Sequence, residues 1–339
     1  MKYFIITFGC QMNKSDSERI ATVLEGRGYK PASKENEADL IMVNMCSVRQ
    51  SAVDRVFGLC QKLAKLKAQN PELKTILTGC ILKKDEKKLK EIFDDVRRQP
   101  WFDSYVKLKY VQSPKAYIPI SNGCNNSCTY CVVPYTRGPL VCRDHREILK
   151  EAGEAIKKNV KEIWLLGQNV NDYTSPADPG IDFSQLLRLV DNIPGNFWFR
   201  FTSPHPKYFS KDLIDALARC QKFARYLNLP VQSGDNKILK KMNRPYTAEQ
   251  YKNLVKKIRE KIPNINLTTD AIVGFPGETK KQFENTAKLF KEIKFNLAYI
   301  AKYSSRPGTA AFRLKDNVSL KEKKRREKVL REILEKQKG

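Results

Sequence analysis

The sequence predicts an α/β protein in two parts, a small parallel-sheet N-terminal domain over residues 1–113 and a partial (β/α)6 barrel over 114–339. Three observations carry that expectation. Short apolar, β-prone runs alternate with helix-period segments along the chain, a pattern that builds parallel sheets covered by helices. Glycine, cysteine and amide residues recur directly after the β-prone runs, at the edge where open parallel sheets bind ligands. Pro114 and Pro119 flank the boundary, after a loosely patterned stretch from Arg97 to Ser113.

In the first part, Tyr3–Phe8 is the first strand, and a helix from near Ser15 closes at Gly28, where glycine suits a left-handed cap. Asp39–Met45 is the second strand and Ser51–Lys67 its helix, with Cys60 on the apolar face beside Val53, Val56 and Phe57. Lys74–Thr78 is the third strand, followed by a lysine-rich helix over Lys83–Val96.

In the second part, strands are expected at Ile118–Ile120, Glu162–Leu166, Phe197–Thr202, Tyr226–Leu229, Leu267–Val273 and Leu297–Tyr303. Helices are expected at Arg146–Lys158, Phe183–Asp191, Ser210–Arg219, Ala248–Lys261 and Lys280–Lys291. Thr247–Gln250 and Thr279–Gln282 have the spacing of capping boxes that open a helix. Parallel barrels do their chemistry at the carboxyl ends of the strands. Polar segments fall there: Gly167–Asn171, Ser203–Pro206, Pro230–Gly234 and Gly274–Thr279. His205 reads as a loop residue, and His145, beside Arg143 and Arg146, as exposed.

A chain of 339 residues accommodates about two domains. No apolar run approaches the ~18 residues that span a bilayer. Tyr3–Phe8 is too short for a signal peptide. The expectation is a cytoplasmic monomer with no membrane partner. Nine cysteines without a signal peptide imply a reducing compartment, where thiols serve metals or chemistry. The formal net charge of +26, from 63 Lys plus Arg against 37 Asp plus Glu, favours a polyanionic partner. Charge alone does not separate RNA from DNA or an anionic membrane, and a solvated basic face is the alternative.

Two groups of cysteines stand out. Cys124-Asn-Asn-Ser-Cys128-Thr-Tyr-Cys131 offers three thiolates at unequal spacing with no fourth ligand nearby. A tetrahedral zinc site wants four, usually as two C-x-x-C pairs. Three thiolates on a four-iron cubane leave one iron open to substrate or cofactor, and packed or zinc-binding cysteines are the alternative. Cys10, Cys46 and Cys80 each follow a strand, so the topology brings them to one sheet edge as a second group of three, with Gly9 and Gly79 permitting close approach of the backbone. Cys60 reads as core, and Cys220 ends a helix without a functional reading.

The C-x3-C-x2-C spacing resembles the cluster motif of radical S-adenosylmethionine (SAM) enzymes. Phe8–Asn13, Asn44–Ser47 and Thr78–Cys80 resemble the N-terminal motifs of methylthiotransferases. Gly123–Gly138, Leu165–Asn171, Leu229–Gly234, Ile272–Thr279 and Tyr303–Thr309 resemble the tRNA branch of that family, the MiaB type. The resemblance spans nearly the whole chain. It implies a radical-SAM barrel and insertion of a methylthio group at carbon 2 of isopentenylated adenosine beside the tRNA anticodon. It also implies two [4Fe-4S] clusters, one on Cys124, Cys128 and Cys131 for reductive SAM cleavage, and an auxiliary one on Cys10, Cys46 and Cys80 for sulfur delivery. A second SAM methylates the sulfur, and a reductant protein supplies electrons. No catalytic side chain is expected beyond the cluster cysteines. The expected SAM contacts are Tyr130, Gln168, Asn169 and Gln232. Tyr130 serves a cluster cover, the adenine or ordinary packing, and Arg137 a phosphate or substrate, or simply the surface.

A counterpart of the family's usual C-terminal RNA-binding barrel, the TRAM domain, is not expected here. A charged stretch, Leu320–Lys338, reads either as a solvated helix finishing the barrel or as a tRNA-contacting stripe. The interval from Cys80 to Cys124 is shorter than usual, which predicts a small or open-edged first sheet. Cys142 stands where serine is common and reads as a spare thiol. Sibling activities on threonylcarbamoyl-adenosine or a ribosomal-protein aspartate share all six cysteines, but the Pro-Tyr-Thr-Arg-Gly and Gly-Gln-Asn-Val-Asn segments argue against them. A non-catalytic iron–sulfur electron carrier or RNA-binding protein is the alternative from another class.

Overall fold

The computed structural model describes residues 1–48, 50–98 and 114–337. Strands β1 (Lys2–Thr7), β2 (Lys30–Pro31), β3 (Leu40–Cys46), β4 (Lys74–Cys80) and β5 (Asp95–Arg98) form one parallel sheet in the order β2-β1-β3-β4-β5. Central β3 is buried at every position. A strand covered on both faces needs no polar alternation, which accounts for its continuous apolar run.

Helices α1 (Gln11–Gly26), α2 (Gln50–Gly58), α3 (Cys60–Gln69) and α4 (Lys83–Lys90) connect the strands. Three expectations are corrected here. The first helix starts at Gln11, because the face it buries carries Asn13, Ser15, Asp16 and Arg19, whose polarity hides the helical period. The helix expected over Ser51–Lys67 breaks at Leu59, so Cys60 opens α3 and is only half-buried. The lysine-rich helix ends at Lys90, and the polar segment after it pairs with β4 as edge strand β5. Most of the predicted loose stretch, 99–113, lies outside the described residues.

The second part contains β6 (Lys115–Pro119), β7 (Ser121–Asn122), α5 (Val133–Arg137), β8 (Val141–Cys142), α6 (His145–Lys157), β9 (Glu162–Leu166), β10 (Thr174–Ser175), β11 (Asp178–Asp182) and α7 (Phe183–Asp191). There follow β12 (Trp198–Phe201), α8 (Lys211–Arg219), β13 (Tyr226–Asn228), α9 (Asn236–Lys241), α10 (Ala248–Lys261), β14 (Asn266–Val273), α11 (Lys280–Ile293), β15 (Leu297–Lys302) and α12 (Leu320–Glu335). Six of these strands make the wall in chain order, as two three-stranded parallel sheets, β6-β9-β12 and β13-β14-β15. A single Phe199–Phe223 bridge extends β12 toward the second sheet. The fold is the expected open (β/α)6 barrel, cored by Phe199, Phe201, Leu267 and Phe290 among others. Both capping boxes form. The short α5 and α9 and the β10–β11 hairpin carry too few residues to show a period. Among the described residues no helix is long and apolar enough to cross a membrane.

Polar contacts weld the two parts. Ser15 Oγ donates to the Tyr117 carbonyl at 2.8 Å, and buried Glu151 takes Arg19 at 2.6 Å and Arg143 at 2.8 Å. From the barrel's far side, Arg306 donates to Gln50 Oε1 at 2.6 Å. Helix α12 closes the barrel. Its Arg326 bonds Glu278 at 2.6 Å, and Lys323 bonds the Tyr303 carbonyl at 3.2 Å. Both side chains are buried, so they do not belong to an RNA-facing stripe, whereas Lys321, Lys324, Arg325, Lys328 and Arg331 remain exposed.

Candidate active site

The first sheet delivers three cysteines to its carboxyl edge. Cys46 and Cys80 end neighbouring strands in direct register, and Cys10 caps α1 just after β1. The Cys46 thiol lies in hydrogen-bonding contact with Cys80 and, together with burial, pushes the Cys80 thiol well above its ordinary range. A pair of carboxamides braces these loops. Asn13 Nδ2 donates to Asn44 Oδ1 at 2.8 Å and to the Met45 carbonyl at 3.0 Å, while Asn44 Nδ2 returns a bond to the Asn13 carbonyl at 2.8 Å. Cys10 Sγ donates to Asn13 Oδ1 at 3.4 Å. Gly79 holds φ +105°, and a Cβ there would meet the Met45 carbonyl at 2.3 Å. Only glycine lets β4 end this close to β3.

The second trio lies in the loop between β7 and α5. Each sulfur accepts from nitrogen: Cys124 from the Asn126 backbone and side chain at 3.4 Å, Cys131 from the Val133 amide at 3.5 Å, and Cys128 from Arg244 Nη1 at 3.5 Å. Backbone bonds pin the loop to its surroundings, Cys124 N to the Gly138 carbonyl at 3.2 Å and Thr129 N to the Met242 carbonyl at 3.1 Å. Asn243 Nδ2 adds a bond to Ser127 Oγ at 2.8 Å.

Helix α5 relates the two trios. Its first residue, Val133, donates to Cys131 Sγ, and its last, Arg137, donates from Nε to Cys80 Sγ at 3.0 Å. With a rise of 1.5 Å per residue, such a helix is only about 7.5 Å long. Arg137, expected from sequence as a phosphate or substrate contact or else as a surface residue, is instead buried against the first-domain thiols. It is 3% exposed and also bonds Asn122 Oδ1 at 2.9 Å and Asp16 Oδ2 at 2.6 Å.

The residues expected to contact SAM sit around the barrel mouth. Gln168 spends its carbonyl on the Gly123 amide at 2.5 Å, as a brace of the cysteine loop. Asn169 is buried and donates to Asp172 at 3.1 Å, and its Oδ1 has no partner among the described residues. Gln232 holds φ +67°, a region non-glycine residues seldom occupy, and its backbone bonds Asp270 and Ile272 of β14 at 2.8 and 2.9 Å. Tyr130 packs against Ile238, Met242, Phe275, Tyr303 and Ala311. His205 Nδ1 accepts the Lys207 amide at 3.1 Å, leaving buried Nε2 unpartnered among the described residues. Burial, with Arg244 and Lys207 nearby, pushes the imidazole down to about 3 and keeps it neutral. His145, expected exposed, is half-buried with Nδ1 2.8 Å from Ser175 Oγ. Cys142 lies on β8, and the Cys220 thiol faces the Leu187 carbonyl at 3.8 Å.

Arg244 was not foreseen. It is buried, with Nε on the Tyr246 hydroxyl at 2.8 Å and Nη2 on the Pro230 carbonyl at 3.1 Å, besides its bond to Cys128. An arginine before a proline in a polar run reads as surface loop, and only the fold reveals its partner.

Among the described residues no group of three His, Cys, Asp or Glu side chains is close enough to hold a single metal ion. A four-iron cubane is wider than an ion and takes each thiolate at a separate corner. The observed donor set fits such a group: three sulfurs per trio, N–H donors on the sulfurs, and buried polar atoms of Ser47, Thr78, Asn169 and His205, without partners among the described residues, close by in sequence to the strand ends. By contrast, a cavity of about 630 Å³ between α8 and α10, lined by Phe209, Ile214, Tyr251 and Leu254, includes none of the cysteines.

Residues 118–290 match the Radical SAM superfamily, and residues 2–98 match a family described as Uncharacterized protein family UPF0004. The chain is 40% identical over 369 aligned positions to the tRNA-2-methylthio-N(6)-dimethylallyladenosine synthase of Clostridium tetani, covering 98% of this chain and 81% of that protein. The synthase of the same name from Carboxydothermus hydrogenoformans is also 40% identical, covering 99% and 83%. Among solved structures, the radical S-adenosylmethionine methyltransferase TsrM from Kitasatospora setae aligns with a TM-score of 0.63 at 15% identity, covering 91% of this chain and 73% of that one. The cobalamin-dependent radical SAM enzyme OxsB aligns at 0.61 and 12%, covering 99% and 56%. At such identities these two show a shared fold alone.

Proposed function

The chain belongs to the tRNA-2-methylthio-N(6)-dimethylallyladenosine synthase family of radical SAM enzymes, and from that premise we propose that it adds a methylthio group to carbon 2 of N6-isopentenyladenosine beside the tRNA anticodon. The observation that carries this reading is α5, whose first residue bonds a sulfur of one cysteine trio through its amide and whose last residue reaches a sulfur of the other through its side chain. A base that must first be activated and then sulfurated needs both sites within reach of one atom.

Bound to this chain, two [4Fe-4S] clusters and SAM supply the reductive cleavage, hydrogen abstraction, sulfur and methyl group. Cys124, Cys128 and Cys131 hold one cluster, and Cys10, Cys46 and Cys80 the other. The Asn126 and Val133 amides and Arg244 offset thiolate charge at the first. Tyr130, Asn169 and Gln232 line the SAM position, while Gln168 acts indirectly by fixing the loop at Gly123. Tyr135, 53% exposed on α5, offers an aromatic face on which an unstacked anticodon-loop base rests. The exposed lysines and arginines of a chain with net charge +26 draw in the phosphate backbone. We place the domain limits at 1–113 and 114–339, the enzyme in the cytoplasm as a monomer, and a reductant protein as its electron source.

Anaerobically reconstituted protein, given isopentenylated tRNA, SAM and a reductant, is expected to yield the methylthio nucleoside in digests read by mass spectrometry. SAM cleavage with no thiolated nucleoside would contradict the reading.

A further inference from the structure

We propose that Arg137 is a positioning residue that sets both the charge at the Cys80 site and its distance from the Cys124–Cys131 loop. This rests on the two-cluster reading above. A guanidinium is a rigid planar fork with five donors. Arg137 commits that fork to three elements: Nε to Cys80 Sγ on β4, Nη2 to Asp16 on α1, and Nη1 to Asn122 on β7. Asn122 answers with a bond from its Nδ2 to the Arg137 carbonyl at 3.3 Å. Asn122 stands two residues before Cys124, and the Gly138 carbonyl, next to Arg137, accepts the Cys124 amide. The loop carrying the second trio is thus clamped at both ends to the side chain that touches the first.

The charge matters as well as the shape. Reduction of a cluster adds one negative charge, and hydrogen bonds to its sulfurs and nearby charge set the potential at which this occurs. A guanidinium on Cys80 Sγ favours the reduced form of that site. Removing it takes that positive charge away from Cys80 Sγ and pushes the midpoint more negative. Lysine keeps a point charge but cannot hold three acceptors in one plane.

The test compares wild type, Arg137→Gln, Arg137→Lys and Arg244→Gln after anaerobic reconstitution. Iron is counted, and reductive titration is followed by electron paramagnetic resonance, with SAM addition identifying the radical-site signal. Arg137→Gln is expected to move only the auxiliary midpoint to more negative potential, and Arg244→Gln only the radical-site midpoint. Arg137→Lys is expected to hold the auxiliary midpoint near wild type, while methylthio product per SAM cleaved falls about tenfold or more, as a misplaced reaction partner predicts. An unshifted auxiliary midpoint in folded Arg137→Gln, or wild-type coupling in Arg137→Lys, would overturn the inference. If the glutamine variant fails to fold, the coupling ratio of the lysine variant decides alone. Wild type holding only about four irons would instead sink the two-cluster reading itself.

Discussion

Replacing Cys46 with alanine is expected to leave about four irons per chain, full SAM cleavage and no methylthiolated nucleoside, whereas Cys128→Ala loses the cleavage as well. The asymmetry follows from the placement of the two trios. Cys46 ends β3 in register with Cys80, so its loss removes one ligand of the first-domain three-sulfur site and leaves the loop over Cys124–Cys131 with its braces from Gln168 and Asn243. Cys128 sits inside that loop, bonded by Arg244, and no other cysteine of the loop replaces it. Iron assay, 5′-deoxyadenosine yield and nucleoside mass spectrometry separate the two outcomes. Equal loss of cleavage in both variants would mean that the trios form one site rather than two.

Arg326→Ala is expected to destabilise the barrel by roughly 3–5 kcal/mol, the usual cost of stripping one partner from a buried ion pair. Arg326 and Glu278 are 4% and 3% exposed, and the Glu278 carboxylate also takes the Gly274 amide at 2.6 Å. Without the arginine, that carboxylate stays buried with its charge uncompensated, and the loop after β14 loses its tie to α12. Exposed Lys328 is the control, where alanine should change stability by no more than about 0.5 kcal/mol. Urea unfolding reads both. Equal midpoints for the two variants would return Arg326 to the role of a surface basic residue.

The legible parts of this chain were those with a period or a named turn. β3 and β4 announce themselves by apolar runs, and the capping boxes at Thr247 and Thr279 locate α10 and α11 because side-chain caps depend on local sequence alone. The basic helix α12 was visible as a helix, yet its inward Lys323 and Arg326 were not distinguishable from the outward lysines. Their partners, Asp316, Glu278 and Tyr303, come from other elements. The same reason hid Arg137 and Arg244, whose meaning lies in sulfurs distant in sequence, and Ser15, Asp16 and Arg19 of α1, which face another domain rather than water. Edge strand β5 escaped because its Asp-Val-Arg-Arg sequence has no apolar face to alternate.

Iron content with Mössbauer spectroscopy on the wild-type chain tests the central claim most directly. The expected result is about eight irons in two [4Fe-4S] clusters, with SAM altering the spectrum of one of them. About four irons in a single cluster would contradict it.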